Sequence, residues 1–251
     1  MTYEEQIGEL QKIVDTHQRI VFFGGAGVST ESNIPDFRSE QGLYNAQQSY
    51  GMSPEQMISH SFFLRDTETF FDYYKNNMVY PQAQPNPAHL ALAKLEEMGK
   101  LSAVVTQNID GLHQKAGSKV VYELHGSVLR NYCMDCGASY DLDYVMDPEH
   151  CEGHIPKCSR CGGIVKPDVV LYEEALDDAQ IRGAVDAIGA ADTLIIGGTS
   201  LVVYPAAGFV NYFRGNHLVL INKSSTSYDG RADLVIHDPI GQVLKEAVGN
   251  L

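Results

Sequence analysis

The stretch Phe22-Phe23-Gly24-Gly25-Ala26-Gly27-Val28-Ser29, followed closely by Pro35-Asp36-Phe37-Arg38, decides the fold. An apolar strand runs directly into glycines, and an aromatic and a cation then sit on the loop beyond. That order suits a buried sheet edge opening onto a phosphate-bearing ligand. Glycine lets backbone N–H groups approach a diphosphate, and a following helix N-terminus favours its charge. Gly25 and Gly27 match the first two glycines of a G-x-G-x-x-G pattern, with Thr30 at the third position. Alone, the segment reads equally well as a tight strand-to-helix turn with no ligand. Motifs elsewhere in the chain decide between the two readings.

Upstream, a possible capping box from Thr2 to Glu5 precedes a helix with Ile7, Leu10 and Val14 on one face. Residues 24–60, rich in Gly, Ser, Asn and Gln, read as a long binding loop, and the aromatic-rich residues 62–78 as a small helical module. Asn86 is placed to cap a helix with Pro87 at its first position and Gly99 ending it. Residues 101–106, 120–124, 193–196, 217–221 and 232–236 are short apolar strands, and 181–188 and 241–248 are helical. Strands alternating with helices imply βαβ units, and continuous apolar strands imply a parallel sheet covered on both faces. The expected class is α/β, a Rossmann-like parallel sheet with helices on both faces. Residues 1–44, 80–130 and 166–251 form the large domain; the helical module 45–79 and a cysteine-bearing module 131–165 form a small one.

The chain has 251 residues, 44% of them apolar, so a packed core is expected rather than disorder. A net charge of −14 argues against phosphate-backbone binding, so no nucleic-acid partner is expected. Met1-Thr2-Tyr3-Glu4-Glu5 lacks a basic n-region and an apolar h-region, and no run is long enough to span a bilayer. A cytoplasmic protein without a membrane partner, and a monomer, is the expectation.

Three further motifs stand at strand ends, where open α/β sheets bind ligands. Thr106-Gln107-Asn108-Ile109-Asp110-Gly111-Leu112-His113 offers donors and acceptors in a row, as a carboxamide requires. Glu123-Leu124-His125-Gly126-Ser127 sets a histidine where a base working near neutral pH is useful. Gly197-Gly198-Thr199-Ser200-Leu201 supplies backbone N–H groups and two hydroxyls for a phosphate or ribose. Asn222 ends the next strand, Asp238 follows the last, and both read either as contacts to the adenosine end of a dinucleotide or as turn formers. Cys133-x-x-Cys136 and Cys158-x-x-Cys161, separated by 21 residues and each followed by glycine, make a four-thiolate zinc ribbon. With no open position, the zinc is structural. Cys151 is left over; putting it in place of Cys158 would break a matched pair.

Together these motifs resemble the sirtuin family of NAD-dependent protein lysine deacylases. The matching pieces are Gly25-Ala26-Gly27-Val28-Ser29, Ile34-Pro35-Asp36-Phe37-Arg38, Gln107-Asn108-Ile109-Asp110, His125-Gly126, the two C-x-x-C pairs, Lys166-Pro167-Asp168-Val169-Val170 and Gly198-Thr199-Ser200. They occur in the family's order over most of the chain, and Phe-Phe-Gly-Gly-Ala-Gly is similar to the bacterial form. The resemblance implies that Ala26, Thr30, Phe37 and Arg38 line the NAD loop, with Phe37 shielding the nicotinamide ribose. It implies that Gln107, Asn108, Ile109 and Asp110 form the nicotinamide and ribose pocket, with Ile109 and Asp110 on the carboxamide. His125 would be the general base and Asn108 the second catalytic residue, while Thr199, Ser200, Asn222 and Asp238 hold the adenosine half.

The implied reaction is NAD-dependent deacetylation of protein lysines, giving nicotinamide and 2′-O-acetyl-ADP-ribose, with an acyl-lysine peptide as partner. The alternatives are a mono-ADP-ribosyltransferase using the same pocket, and a non-catalytic module docking through its ribbon. The peptide is expected to add as a strand between residues 169–173 and 198–203. Two positions depart from the family: Asn33 stands where glycine is usual, and Gly24 where threonine is common. Asn tolerates a left-handed backbone better than most residues. Desuccinylating relatives carry a Tyr and an Arg three residues apart on the helical module. Here Tyr73 and Tyr74 are followed by Asn76 and Asn77, so a neutral acyl group is expected.

Overall fold

The strand that feeds the glycines forms as β1 (Ile20–Gly24), at the centre of a six-stranded sheet in this computed structural model, which describes residues 1–36 and 48–249. Its companions are β2 (Leu101–Thr106), β3 (Val121–Glu123), β9 (Thr193–Gly197), β10 (His217–Ile221) and β11 (Leu234–Ile236), in the order β3-β2-β1-β9-β10-β11. Every pairing is parallel. The chain winds outward from β1 in one direction, then crosses back and winds outward in the other. The switch therefore lies between β1 and β9, and a crevice opens there beyond the carboxyl ends of the strands.

The β1 residues are all buried, and alternation sends them to opposite faces. Ile20 and Phe22 join one core with the helices Tyr3–Thr16, Pro87–Glu97 and Ile240–Val248. Val21 and Phe23 join the other, beneath helix Asp178–Ala190 and the 3₁₀ segment Ala206–Tyr212. Both phenylalanines are fully buried, each contributing about 1.5–3 kcal/mol. The predicted caps form: Thr2 and Glu5 close a reciprocal capping box, and Asn86 accepts from Ala88 N–H. Asn33 takes the left-handed conformation its position demands, with φ 62°.

The structure corrects the sequence reading at two points. The expected loop 24–60 is not wholly irregular: directly after the glycines it turns through two 3₁₀ segments, Ala26–Val28 and Thr30–Ser32, and further on it contains a short helix, Pro54–Met57. The aromatic module is two helices, His60–Arg65 and Thr67–Asn77, broken at Asp66, whose carboxylate caps the second by accepting from Thr69 N–H.

The cysteine-bearing segment is built on a three-stranded antiparallel sheet of β4 (Gly126–Cys133), β5 (Ser139–Tyr140) and β8 (Val165–Val169), order β5-β4-β8. A two-stranded ladder, β6 (Cys151–Glu152) with β7 (Ile155–Pro156), completes it. The expected boundaries at residues 131 and 165 thus fall within β4 and at the first residue of β8. The aromatic helices pack on this sheet: Phe63, Phe70, Phe71 and Tyr74 share a core with Val128, Val169 and Leu171.

His113, from the amide-rich motif, is buried against His89 of helix Pro87–Glu97, with ring centroids 4.7 Å apart. Burial pushes His89 down to about 4; burial and then its neighbour push His113 well below its usual value. The unfolded chain takes up protons below about pH 6.5 that the folded chain refuses, so stability is full above that pH and falls below it. Each such histidine removes about 1.4 kcal/mol per pH unit across the window. The urea midpoint should be lower at about pH 5 than at about pH 7.5, with a shallower dependence for His113→Phe. A midpoint that rises on acidification contradicts the buried neutral pair.

Candidate active site

The register aligns Glu123, Thr106, Gly24, Gly197, Ile221 and Ile236 across one edge of the sheet. The residues that follow them are the predicted site. Gly27 N–H donates to Gly198 C=O at 2.8 Å, and a Cβ on Gly27 would meet Gly198 at 2.8 Å. A Cβ on Gly25 would meet Thr199 Cβ at 2.9 Å. The glycines thus serve a backbone-to-backbone approach across the switch point.

The amide-rich loop is locked onto this turn. Gln107 N–H donates to Gly24 C=O, and the Gln107 side-chain amide donates to Thr199 Oγ1 at 3.1 Å. Asn108 Nδ2 donates to Ser29 Oγ at 3.0 Å, and Ser29 Oγ donates in turn to Asp110 Oδ2 at 2.7 Å. Burial pushes the Asp110 carboxyl up from the usual carboxylate range, opposed by the Leu112 N–H and the Ser29 hydroxyl. Ser29, itself buried, is the link that sequence reasoning left without a role. Its place in the glycine motif was the available signal.

His125 stands across from this loop. Its Nδ1 lies 2.9 Å from Gln107 C=O, and its own carbonyl accepts from Val170 N–H at 3.0 Å. A carbonyl only accepts, so Nδ1 carries the proton, and Nε2 is the proton-accepting nitrogen of the neutral ring. Gly126 follows at φ 75°, with its Cα so close to Asp168 C=O that a Cβ would come within 1.9 Å.

A cleft lies over these groups. Among the predicted residues it brings together Ala26, Gln107, Asn108, Ile109, Asp110 and His125. Thr199 is buried behind Gln107. Thr30, Ser200, Asn222 and Asp238 are not in its lining; Thr30 donates to Gly27 C=O, Ser200 is exposed, and Asn222 donates to Ser224 C=O. Phe37 and Arg38 lie outside the described residues. The far wall, which sequence reasoning named only in part, is the strand end Val169–Val170 running into Leu171 and Tyr172, with Asn77 and Tyr204. No lysine or arginine is found among the described lining residues, whereas Asp110, Glu173 and Glu174 are.

The four cysteines of the two C-x-x-C pairs bring their Sγ atoms within 4.8 Å of one another. Cys133 and Cys161 are 3.4 Å apart, and Cys136 and Cys158 3.6 Å. A tetrahedral zinc with Zn–S of about 2.3 Å needs sulfurs about 3.8 Å apart, so the donor set fits that ion. Each knuckle closes identically: Gly137 N–H donates to Cys133 C=O and Gly162 N–H to Cys158 C=O, both glycines at positive φ. Cys151 lies outside the cluster, accepting from Lys75 Nζ at 3.1 Å, so the matched pairs stand. Cys158→Ser should lose the bound metal by elemental analysis and melt at lower temperature, while Cys151→Ser should keep both metal and melting point. Metal loss in the second variant and retention in the first would reverse the assignment.

The model of the Sir2 family matches residues 25–205. An NAD-dependent protein deacetylase of Clostridium acetobutylicum is 64% identical over 244 residues, covering 97% of this chain and 98% of that protein. One of Clostridium perfringens is 64% identical over 246 residues, covering 98% and 99%. Among solved structures, a Sir2 homologue in complex with NAD superposes with a TM-score of 0.85 at 36% identity, covering 96% of this chain and 92% of that one. Sir2 bound to an acetylated peptide gives 0.82 at 35% identity, covering 95% of each. With its switch-point cleft and cysteine cluster alike accounted for, the chain belongs to the Sir2 family.

Proposed function

We infer that this enzyme removes acetyl groups from protein lysine side chains and consumes NAD in doing so, releasing nicotinamide and 2′-O-acetyl-ADP-ribose. One observation carries the reading: the Asn108–Ser29–Asp110 chain and His125 share one cleft at the topological switch point. The partner is an acyl-lysine peptide, and the cysteine cluster holds a structural zinc that takes no part in the chemistry.

Asp110 and Ile109 hold the carboxamide of nicotinamide, and Asn108 and Gln107 border the ribose. Cleavage of the nicotinamide–ribose bond develops oxocarbenium character, and the acyl oxygen of the lysine attacks C1′. His125 then takes a proton through the ribose hydroxyls, so that the 2′-oxygen attacks the imidate carbon; water completes the release of free lysine. The Nδ1–H···O=C bond to Gln107 supports this role, because it leaves Nε2 to accept. Ala26, Thr30, Phe37 and Arg38 form the NAD loop, and Thr199, Ser200, Asn222 and Asp238 serve the adenosine half. The peptide lies along residues 169–173 and 198–203. Residues 45–79 and 131–165 act together as a small domain, a reading supported by Leu142, Met146, Ile155 and Ile164, which pack with the aromatic helices. The −14 charge supports the absence of nucleic-acid partners, and the thiolate cluster suits a reducing, cytoplasmic setting; in this reading the enzyme acts as a monomer.

Mass spectrometry of NAD with an acetyl-lysine peptide should show nicotinamide and 2′-O-acetyl-ADP-ribose in equal amounts; label from NAD retained on protein would point instead to ADP-ribosyl transfer. His125→Ala should fold, keep its metal and lose about 10²–10⁴-fold in deacetylation.

Acyl choice follows from charge. Tyr73 and Tyr74 are buried in the aromatic core, and the described cleft lining offers carboxylates but no lysine or arginine. An anionic acyl chain would meet like charges without a counter-ion. Acetyl-lysine peptides should therefore turn over faster than succinyl-lysine peptides, and the opposite order would reject this account.

A further inference from the structure

The strand after His125 contains an irregularity that the reaction above does not use. In the ladder of β4 with β8, Ser127 lies opposite Asp168 and Asn131 opposite Pro167, so Val128, Leu129 and Arg130 have no opposite residues. Such a bulge re-aims side chains out of the ladder, and bulges are frequent beside active sites.

Two residues of this bulge face the amide-rich loop and the third turns toward the His125 corner. Val128 N–H donates to Ile109 C=O at 3.0 Å, tying the bulge to the amide-rich loop. Leu129 lies over Gly111, where a Cβ would come within 2.5 Å of its Cδ1, so the turn after Asp110 is shaped against it. Arg130 turns back across the corner. Its Nη1 donates to Glu123 Oε2 at 2.7 Å and its Nε donates to Asp168 Oδ2 at 2.8 Å.

Those two carboxylates bracket the base. Glu123 is the last residue of β3, two before His125, and its side chain is only 7% exposed. Asp168 sits on β8 against Gly126 and Ser127, and Val170 beyond it holds the His125 carbonyl. Burial alone would lower the Arg130 guanidinium, but its hydrogen bonds to Glu123 and Asp168 hold it above its ordinary value. A guanidinium offers two donors in a fixed fork, a geometry that the point charge of a lysine does not reproduce.

We propose that Arg130 is a positioning residue for His125: it clamps the end of β3 to β8 and so fixes the corner on which the imidazole stands. The inference rests on His125 being the base. Arg130 touches neither the glycine turn nor Asn108 and Asp110 in the hydrogen bonds it makes. The clamp therefore acts first on the corner that carries His125, and the step His125 serves follows departure of nicotinamide. Exchange of labelled nicotinamide into NAD in the presence of acetyl peptide reports the earlier step alone.

The test compares the two rates in folded, metal-loaded protein. In Arg130→Met, kcat for deacetylation should fall by about 10-fold while nicotinamide exchange and the KM for NAD stay within about 2-fold. Arg130→Lys should recover part of the loss, and Asp168→Asn, which retains the better-buried contact, should show a smaller drop of the same kind. Arg130→Met leaves Glu123 buried without its cation. If it does not fold, Glu123→Gln/Arg130→Met removes both charges together and is read by the same two rates. Unchanged deacetylation, or exchange and deacetylation falling in parallel, overturns the proposal. His125→Ala run alongside separates the two ideas: if that variant still deacetylates, the base assignment has failed, whatever Arg130 does.

Discussion

Gly27 and Gly198 meet backbone to backbone, and no methyl group fits between them. That contact joins the loop after β1 to the loop after β9, across the one place where the winding of the sheet reverses. Strands on the two sides are distant in sequence, residues 20–24 and 193–197, yet their ends must lie side by side for a crevice to exist. The glycines permit the approach, and everything in the cleft is referred to it. Gln107 is bonded to Gly24 and Thr199, and His125 is bonded to Gln107.

From that seam the site is built as one continuous hydrogen-bonded chain. Ser29 belongs to the glycine loop and joins Asn108 to Asp110, so the loop after β1 sets the loop after β2. Desolvation makes such links count: a buried polar group without a partner is costly, and Asp110 is held by a hydroxyl and a backbone N–H. The small domain closes the other side. Its sheet supports the far wall of the cleft through Val169 and Leu171, while the cysteine knuckles hold the distal end of that sheet together. The cysteine cluster and the cleft are thus joined through β4 and β8.

Much of this was legible in the sequence because it rests on local chemistry. Continuous apolar runs marked all six strands of the parallel sheet, the Asn86-Pro87 pair marked a helix start, and paired C-x-x-C knuckles marked a thiolate site. What failed to show was also physical. The 3₁₀ turn through Gly27 is bonded to Gly198, some 170 residues away, a contact that no local pattern announces. Asp66 divides the aromatic-rich segment into two helices, and its carboxylate caps the second. The bulge at Val128–Arg130 left no pattern at all, since its three residues are re-aimed by partners on β3, β8 and the amide loop.

The amino-acid sequence by itself determined the layers of the fold, the cysteine ligands and the kinds of group available for catalysis, since these depend on hydrophobic period, turn chemistry and donor type. Which of those groups meet was decided only by the tertiary structure. Ser29 against Asp110, His125 Nδ1 against Gln107, and Arg130 between Glu123 and Asp168 are hydrogen bonds made across elements. Strand order and register bring their partners into range, and no local propensity encodes either.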